Sequence, residues 1–515
     1  MKATKFSALA ALMLMVPVAQ QAFALPPTTV FNDALTTDVV LNISGSSALQ
    51  PIVGAFATSV CDTTTLDTFR DITGTTIGGN WRSYSCNLNA ATITANGLPA
   101  GAKMLLNNRN KGGSIYGVTP IQRQLAVAYM NINNSNCTET PVGSKTWNCT
   151  VTALAPEVSV TTGECDSNTV TTTATGSVFC KKSTAGISDV EPAMFVGPNV
   201  PTGSTFAAGT PSAVTTSPQL SVIFGVMVTE RLYRDLQSVQ FPAQFGPTGL
   251  TPYLGTAGAA TNWTETFRPS MKKTEVTSIL AGKLLDWPSV NKALPTVSNL
   301  VSGTGMAICR RAPGSGTQAG ANAYFMENTC RTASQRPGSL SMVTGASAPG
   351  YQVVENSSTG SLLTCLNSAY TATDIAPGVP PSGAAFGGIP HDAIGFAGID
   401  ILGGNPVRPI HTGATPDHFD FVKLDGVSPT LTNAINGDYA FAYENTVNTS
   451  STAPASSAAM LSALKAQLGN PGTLLSGVAA LPSAARQWNL PANFPTMRGT
   501  RNGNSCQDII LTPDL

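Results

Sequence analysis

Charge is scarce in this chain. Lysine, arginine, aspartate and glutamate together make up 11% of the 515 residues, in equal parts of 28 basic and 28 acidic. Without basic runs, a nucleic acid backbone finds no clustered counter-charge, so a nucleic-acid partner is not expected. The same scarcity rules out capture of an anion by bulk attraction; an anion held here needs local, aimed donors. Histidine is rarer still, at three residues (His391, His411 and His418), all in one late region. There is no Gly-x-Ser-x-Gly elbow for a hydrolase, no Walker lysine after a glycine-rich loop and no G-x-G-x-x-G fingerprint. No C-x-x-C or C-x-x-C-H occurs, which argues against thioredoxin-like, zinc and haem chemistry. No carboxylate and histidine cluster stands out, so neither a metal nor a cofactor is expected. Past the first two dozen residues, no apolar run reaches the roughly 18 residues that span a bilayer.

The first 24 residues read as an export signal. Lys2 and Lys5 form a basic start, Leu9 to Val18 an apolar centre, and Ala22-Phe23-Ala24 a small-x-small cleavage site. The mature chain is expected to begin at Leu25 and to be periplasmic or secreted. No cysteine follows the cleavage site, so a lipid anchor is not expected. Loss of Lys2 and Lys5 leaves 26 basic against 28 acidic groups, a net charge of −2. The remaining length exceeds one simple core and suits two lobes.

All ten cysteines lie in the mature part, and an even number in an exported chain reads as disulfides. Pairing between sequence neighbours gives Cys61–Cys86, Cys137–Cys149, Cys165–Cys180 and Cys309–Cys330, leaving Cys365–Cys506. Connectivity does not follow from sequence alone.

Val39 to Ile43 forms a short apolar strand, Ser44-Gly45-Ser46-Ser47 a turn, and apolar positions from Leu49 to Val60 then recur at helical spacing. Ser46 or Ser47 suits the N-cap of that helix. Met306 to Arg310 begins a second such unit, with a helix through Ala319, Ala323, Phe325 and Met326. Thr274 to Leu285 reads as an amphipathic helix that stops near Gly282. Further strands are expected at Leu220 to Val228, Ala393 to Ile399 and Ala440 to Val447. The stretch 124–184 is rich in Thr, Asn and Ser, carries four cysteines and has β-prone runs at 158–160 and 170–173. It reads as a disulfide-pinned β-hairpin insertion. Thr449 to Ala458 reads as a loop before a last helix over Met460 to Leu468. Strand, turn and helix in this order predict an α/β layer fold.

One segment carries the parts of an anion cradle, Arg311-Ala312-Pro313-Gly314-Ser315-Gly316-Thr317. Glycines let several backbone N–H groups converge, and the helix that follows points its unpaired N–H groups and positive dipole end at the same place. The hydroxyls of Ser315 and Thr317 add donors, and Arg311 adds a charged fork suited to an oxyanion. Ser44 to Ala48 repeats this strand–turn–helix logic. Lys111-Gly112-Gly113-Ser114 gives a second glycine-rich loop, and Gly186-Ile187-Ser188-Asp189 a turn carboxylate.

At these residues the chain resembles the phosphate-specific substrate-binding proteins of bacterial ABC importers, in the type II periplasmic binding protein superfamily. That family surrounds one phosphate with an R-x-D-G-S-G-T stretch, a G-[AS]-[ST] loop, a Gly/Ser-rich loop and a G-A-S-D turn. Here these correspond in order to Arg311–Thr317, Gly45–Ala48, Gly112–Ser114 and Gly186–Asp189. The stretch Lys273 to Trp287, the strand Ala393 to Phe396, and the segments Leu424 to Pro429 and Asn436 to Tyr439 match in order as well. The likeness covers most of the mature chain apart from 124–184 and the tail after about 475. Two positions depart from the pattern: Pro313 stands where the family has an aspartate, and Ala48 where it often has a larger side chain.

The resemblance implies a two-lobe α/β fold, with lobe one at 38–222 plus 444–515 and lobe two at 223–443. It implies an oxyanion, most simply inorganic phosphate, held by Ser46, Ser47, Ala48, Ser114 and Asp189 from one lobe. Arg311, Ser315, Gly316 and Thr317 would hold it from the other. It further implies a monomer that passes its ligand to an ABC permease. Asp189 is the expected selector: a buried carboxylate accepts the proton that phosphate carries and sulfate lacks. Two other readings compete. One is a secreted phosphatase-like enzyme on the same scaffold, and the other an adhesive or structural protein whose ligand site has degenerated.

Overall fold

The computed structural model describes residues 38–73, 76–151, 165, 177–201, 214–245, 265–294, 305–332, 347–348, 351–372, 386, 390–402, 418–450, 454–468, 480–482 and 497–513. The export signal and the β-prone runs at 158–160 and 170–173 lie outside them.

The first part of the chain alternates β1 (Val39–Gly45), α1 (Gln50–Val60), β2 (Asp67–Thr73), β3 (Thr76–Asn87) and β4 (Lys103–Arg109). It continues through β5 (Ala126–Met130), β6 (Cys137–Glu139), β7 (Thr146–Thr150), β8 (Val178–Lys182) and β9 (Ala185–Ser188). A 16-residue strand, β10 (Val214–Thr229), leads into α2 (Glu230–Gln240), β11 (Ser270–Met271) and α3 (Lys273–Leu280). Next come β12 (Gly305–Arg311), α4 (Gly316–Met326), β13 (Ser347–Ala348), β14 (Tyr351–Asn356) and α5 (Thr359–Thr371). The last elements are β15 (His391–Gly398), β16 (Phe419–Leu424), β17 (Ala442–Ser450), α6 (Ala455–Leu468), β18 (Ala480–Pro482), β19 (Met497–Thr500) and β20 (Ile510–Pro513).

This is the expected α/β class, built on a mixed sheet with two parallel cores. In one, β1 runs parallel to β4 and β9; in the other, β12 runs parallel to β14 and β15. β10 and β17 pair antiparallel between them, β10 reaching β15 and β17 reaching β9. The central strands β1 and β12 are buried nearly throughout, which explains why they read as continuous apolar runs. Where the sheet halves meet, Phe224, Phe325, Phe396 and Phe441 pack as one aromatic group, with ring centroids of contacting pairs 5.1–6.2 Å apart. The helix α4 lies over this group, so its position is fixed by the same contacts that join the two halves.

The 124–184 stretch contains two antiparallel pairs, β6 with β7 and β5 with β8. β7 also runs parallel to β2, so the hairpin extends the edge of the main sheet. The expected loop at 449–458 is shorter than read: β17 continues through Ser450, and α6 starts at Ala455.

Cys61–Cys86, Cys137–Cys149 and Cys165–Cys180 are paired as neighbours. The last four cysteines are not. Cys309 joins Cys365 and Cys330 joins Cys506, in place of Cys309–Cys330 and Cys365–Cys506. The reason is the intervening helix. Cys309 lies in the middle of β12, and the 11 residues of α4 carry the chain about 16 Å away before Cys330 is reached. α5 instead returns across β12 and brings Cys365 onto Cys309.

One buried carboxylate in this framework has a measurable consequence. Asp392 on β15 is fully enclosed, accepts from Thr229 Oγ1 at 3.1 Å and meets Arg231 at 3.4 Å. Burial dominates and pushes its pKa from 3.8 up to about 6, against the pull of Arg231 and Thr229. A raised carboxylate pKa favours the folded state while the group is protonated. Its contribution is therefore complete below about pH 4 and is lost as pH rises to about 6. The change from 3.8 to about 6 corresponds to about 3 kcal/mol. Denaturant titrations at pH 4 and pH 7 should show this loss in the native protein and a smaller one in Asp392→Asn. Equal pH dependence in both would refute the assignment.

Candidate functional site

Four loops leave the C-terminal ends of parallel strands and meet, the usual place for a ligand in an open α/β sheet. After β1, the Ser46 N–H donates to the Ile187 carbonyl at 2.8 Å, which ties this turn to the end of β9. The backbones of Gly45, Gly117 and Gly186 pack directly on one another here. A Cβ on Gly45 would stand 2.8 Å from the Gly117 Cα, and one on Gly186 would stand 2.6 Å from it. Only glycine permits that approach. The Ser46 hydroxyl donates to Asp189 Oδ1, and Ser114, on the loop after β4, donates to Asp189 Oδ2 at 2.9 Å. Ser46, Ser114 and Asp189 are all buried.

The opposite side is the loop from β12 into α4. The Gly314 N–H donates to the Asn199 carbonyl at 2.9 Å, and the Gly314 carbonyl accepts from Ile115 N–H at 2.9 Å. Asn322 Nδ2 on α4 donates to Asn199 Oδ1 at 2.7 Å. Ser315 caps α4, its hydroxyl oxygen accepting from Gln318 N–H at 3.3 Å. Gly316 and Thr317 thus carry the first N–H groups of an 11-residue helix, which no helical carbonyl can reach. The helix start lies against the carboxylate: a Cβ on Gly316 would be 2.5 Å from Ser114 Oγ and 2.8 Å from Asp189 Oδ2.

Arg311 is buried with them. Its guanidinium donates to Thr359 Oγ1 at 2.8 Å and to the Ser357 carbonyl at 3.4 Å, while its Nε has no partner among the described residues. Burial lowers its pKa to about 10, with the Asp189 charge opposing, so it stays cationic at neutral pH. Burial also raises the pKa of Asp189, against hydrogen bonds from Ser46 and Ser114 and the charge of Arg311. No hydrogen bond or ion pair joins the two residues. The arrangement is thus a fixed cation, a helix N-terminus and a buried carboxyl whose pKa is raised. A small group that both accepts and donates hydrogen bonds can satisfy all three.

The structure brings together Ser46, Ser114, Asp189, Arg311, Ser315, Gly316 and Thr317. It does not tie in the side chains of Ser47 and Ala48, which are half-buried in the turn before α1. Neither Ser46 nor Ser47 caps α1. The N-cap is Leu49 with no side-chain hydrogen bond, because the Ser46 hydroxyl is committed to Asp189. The neighbouring Arg310 pairs with Glu355 at 2.5 Å, directly across the β12–β14 ladder. His418 stacks on Tyr370 with centroids 4.3 Å apart, and its Nδ1 lies 3.1 Å from Glu230.

Sequence reasoning missed Thr359, Ser357, Asn199 and Asn322. The first two hold the Arg311 guanidinium through neutral oxygens. Their signal was present as a polar run, Glu355 to Thr359, directly after the apolar strand Tyr351 to Val354.

No family model matches the chain, and no curated protein matches it. Among solved structures, it is similar to a putative phosphate ABC transporter substrate-binding protein with bound phosphate from Clostridium perfringens. The identity is 10% and the TM-score 0.38, over 86% of this chain and 99% of that one. It is also similar to a possible phosphate binding protein from Planctomyces limnophilus, at 11% identity and a TM-score of 0.33, over 87% of this chain and 93% of that one.

Proposed function

We propose that this chain is an exported solute-binding protein that encloses inorganic phosphate between two α/β lobes, 38–222 plus 444–515 and 223–443, for ABC-type uptake. One observation carries the reading. A buried carboxylate, held by the hydroxyls of Ser46 and Ser114, sits directly against the N-terminus of α4 and in the field of the buried Arg311. The cation and the helix donors receive anionic oxygens, and the ionised Asp189 accepts the proton of monohydrogen or dihydrogen phosphate. Sulfate brings no such proton and would leave two negative groups facing each other. Contacts from both sides favour the closed form, because only the closed form makes all of them.

The raised pKa of Asp189 sets a pH dependence. Above that pKa the carboxylate accepts and selects phosphate; below it the protonated group donates and tolerates sulfate. Calorimetry on refolded, ligand-stripped protein with phosphate, sulfate and a phosphoester tests this reading. Phosphate should bind one per chain, and its advantage over sulfate should shrink as pH falls. Asp189→Asn should lose about 10- to 100-fold in phosphate affinity, by leaving buried donors and acceptors mismatched, and should gain sulfate binding. Absence of heat with every anion would exclude the reading, and turnover of the ester would replace it with the phosphatase one. Sulfate binding equal to phosphate at high pH would remove Asp189 from its role.

A further inference from the structure

Residues 497–513 form a strap against the rest of the fold. β19 and β20 pair antiparallel, and the turn between them touches both halves of the sheet. Ser505 N–H donates to Glu191 Oε1 at 2.9 Å, two residues beyond Asp189. Gly503 N–H donates to Glu444 on β17, and Arg501 donates to the carbonyls of Ala440 and Ala442 at 2.7 and 3.0 Å. The next residue after Ser505, Cys506, is bonded to Cys330 just past the end of α4. α4 is therefore held at both ends: its start abuts Asp189, and its far end is tied through Cys506 and Ser505 to Glu191.

This disulfide differs from the other four in exposure. The other eight cysteines are buried, whereas Cys330 is half-buried and Cys506 exposed. Both line a pocket of about 230 Å³ with Lys273, Tyr324, Arg331, Arg501, Glu327 and Asp508 among its walls. Lys273 Nζ lies 4.3 Å from the centroid of the Tyr324 ring, and Arg331 pairs with Glu327 at 2.6 Å. The walls carry three cations against two carboxylates, an environment that draws in an anionic thiolate and stabilises a departing one.

We propose that Cys330–Cys506 is a thiol-exchange site: a small carboxylate-bearing thiol entering this pocket opens the disulfide and frees α4 from the strap, so that the two sides of the oxyanion cleft can part. The thiolate attacks the exposed Cys506 Sγ and forms a mixed disulfide, and Cys330 leaves as a thiolate that takes a proton from water. A second thiolate attacks the sulfur of the bound thiol. Cys506 is released and protonated, and the two thiols depart joined as their own disulfide. Two thiols are oxidised and one protein disulfide is reduced. The chemistry of the site is independent of the ligand, but its effect on the cleft rests on the oxyanion reading.

The test uses the full-length protein and glutathione as probe. Brief exposure under native conditions, followed by alkylation and peptide mass spectrometry, should label Cys330 and Cys506 at least 10-fold more than the other eight cysteines. Uniform labelling, or labelling elsewhere first, overturns the exchange site. Hydrogen exchange then reads the cleft without any ligand. Reduction should raise exchange at 44–48, 112–117 and 312–318, and Cys330→Ser with Cys506→Ser should do the same without reductant. Selective reduction with unchanged exchange overturns the gating. Phosphate release, followed by displacement, should quicken at least 10-fold after reduction. A cleft that loosens in a protein that never binds phosphate would spare this inference and remove the functional one.

Discussion

Arg311→Ala is expected to weaken phosphate binding by about 10²- to 10³-fold. The guanidinium is buried, already oriented by Thr359 and Ser357, and has its Nε unpaired among the described residues. Truncating one member of a buried, hydrogen-bonded charge pair costs about 2–5 kcal/mol, and each 1.4 kcal/mol is tenfold in affinity. The loss has a second source inside the protein. Burial pushes the Asp189 pKa up and the Arg311 charge opposes that push, so removing the cation raises it further and leaves a carboxyl that accepts less well. The phosphate and sulfate affinities should therefore converge in the variant as well as fall. Arg311→Lys keeps the charge but cannot serve Thr359 and Ser357 together, and should recover only part of the affinity. Arg310→Ala, whose charge goes to Glu355, should bind nearly as the native protein does. Calorimetry on the three variants separates these outcomes; equal losses at 310 and 311 would move the anion away from the α4 cradle.

Cys309→Ala combined with Cys365→Ala is expected to cost about 4 kcal/mol of stability, the chain-entropy figure for a cross-link spanning 56 residues. Both sulfurs are fully buried, so repacking adds to the loss. This bond lies beneath the site. β12 delivers Arg311 and α5 begins at Thr359, so the cross-link joins the strand that carries the cation to the helix that orients it. A fall in the denaturation midpoint should thus come with weaker phosphate binding under conditions where the variant is fully folded. An unchanged midpoint would mean that α5 is held on β12 by packing alone.

The parts that the sequence disclosed are those in which local pattern and final environment agree. β1 and β12 are buried on both faces, so their apolar runs were visible, and the helices after them kept the spacing of their buried side. β10 was legible only from Leu220 onward. Its first residues, Val214 to Pro218, are largely polar and pair with the equally polar Thr446 to Ser450, so no hydrophobic signal marks them. In the site, Arg311 to Thr317 and Asp189 could be read because glycine, hydroxyl and charge stand within a few residues of each other. The bracing of Arg311 could not, since Thr359 is 48 residues away and its role depends on the parallel pairing of β12 with β14. The disulfides divide in the same way. Neighbour pairing holds at Cys61–Cys86, Cys137–Cys149 and Cys165–Cys180, and fails where the helix α4 intervenes or where the partner lies 176 residues on.

The contact of Gly45, Gly117 and Gly186 bears on how this protein tolerates change. Ser46, Ser114 and Asp189 are placed by main chain resting on main chain, with no side chain between them whose rotamer could adjust. A saturation library across these loops should consequently show a threshold. Each of the three glycine positions should accept essentially one residue, whereas the aliphatic positions of β1 behind them should grade smoothly with volume. Drift in ligand preference is then confined to the hydroxyl and carboxylate positions, and the frame that presents them stays fixed.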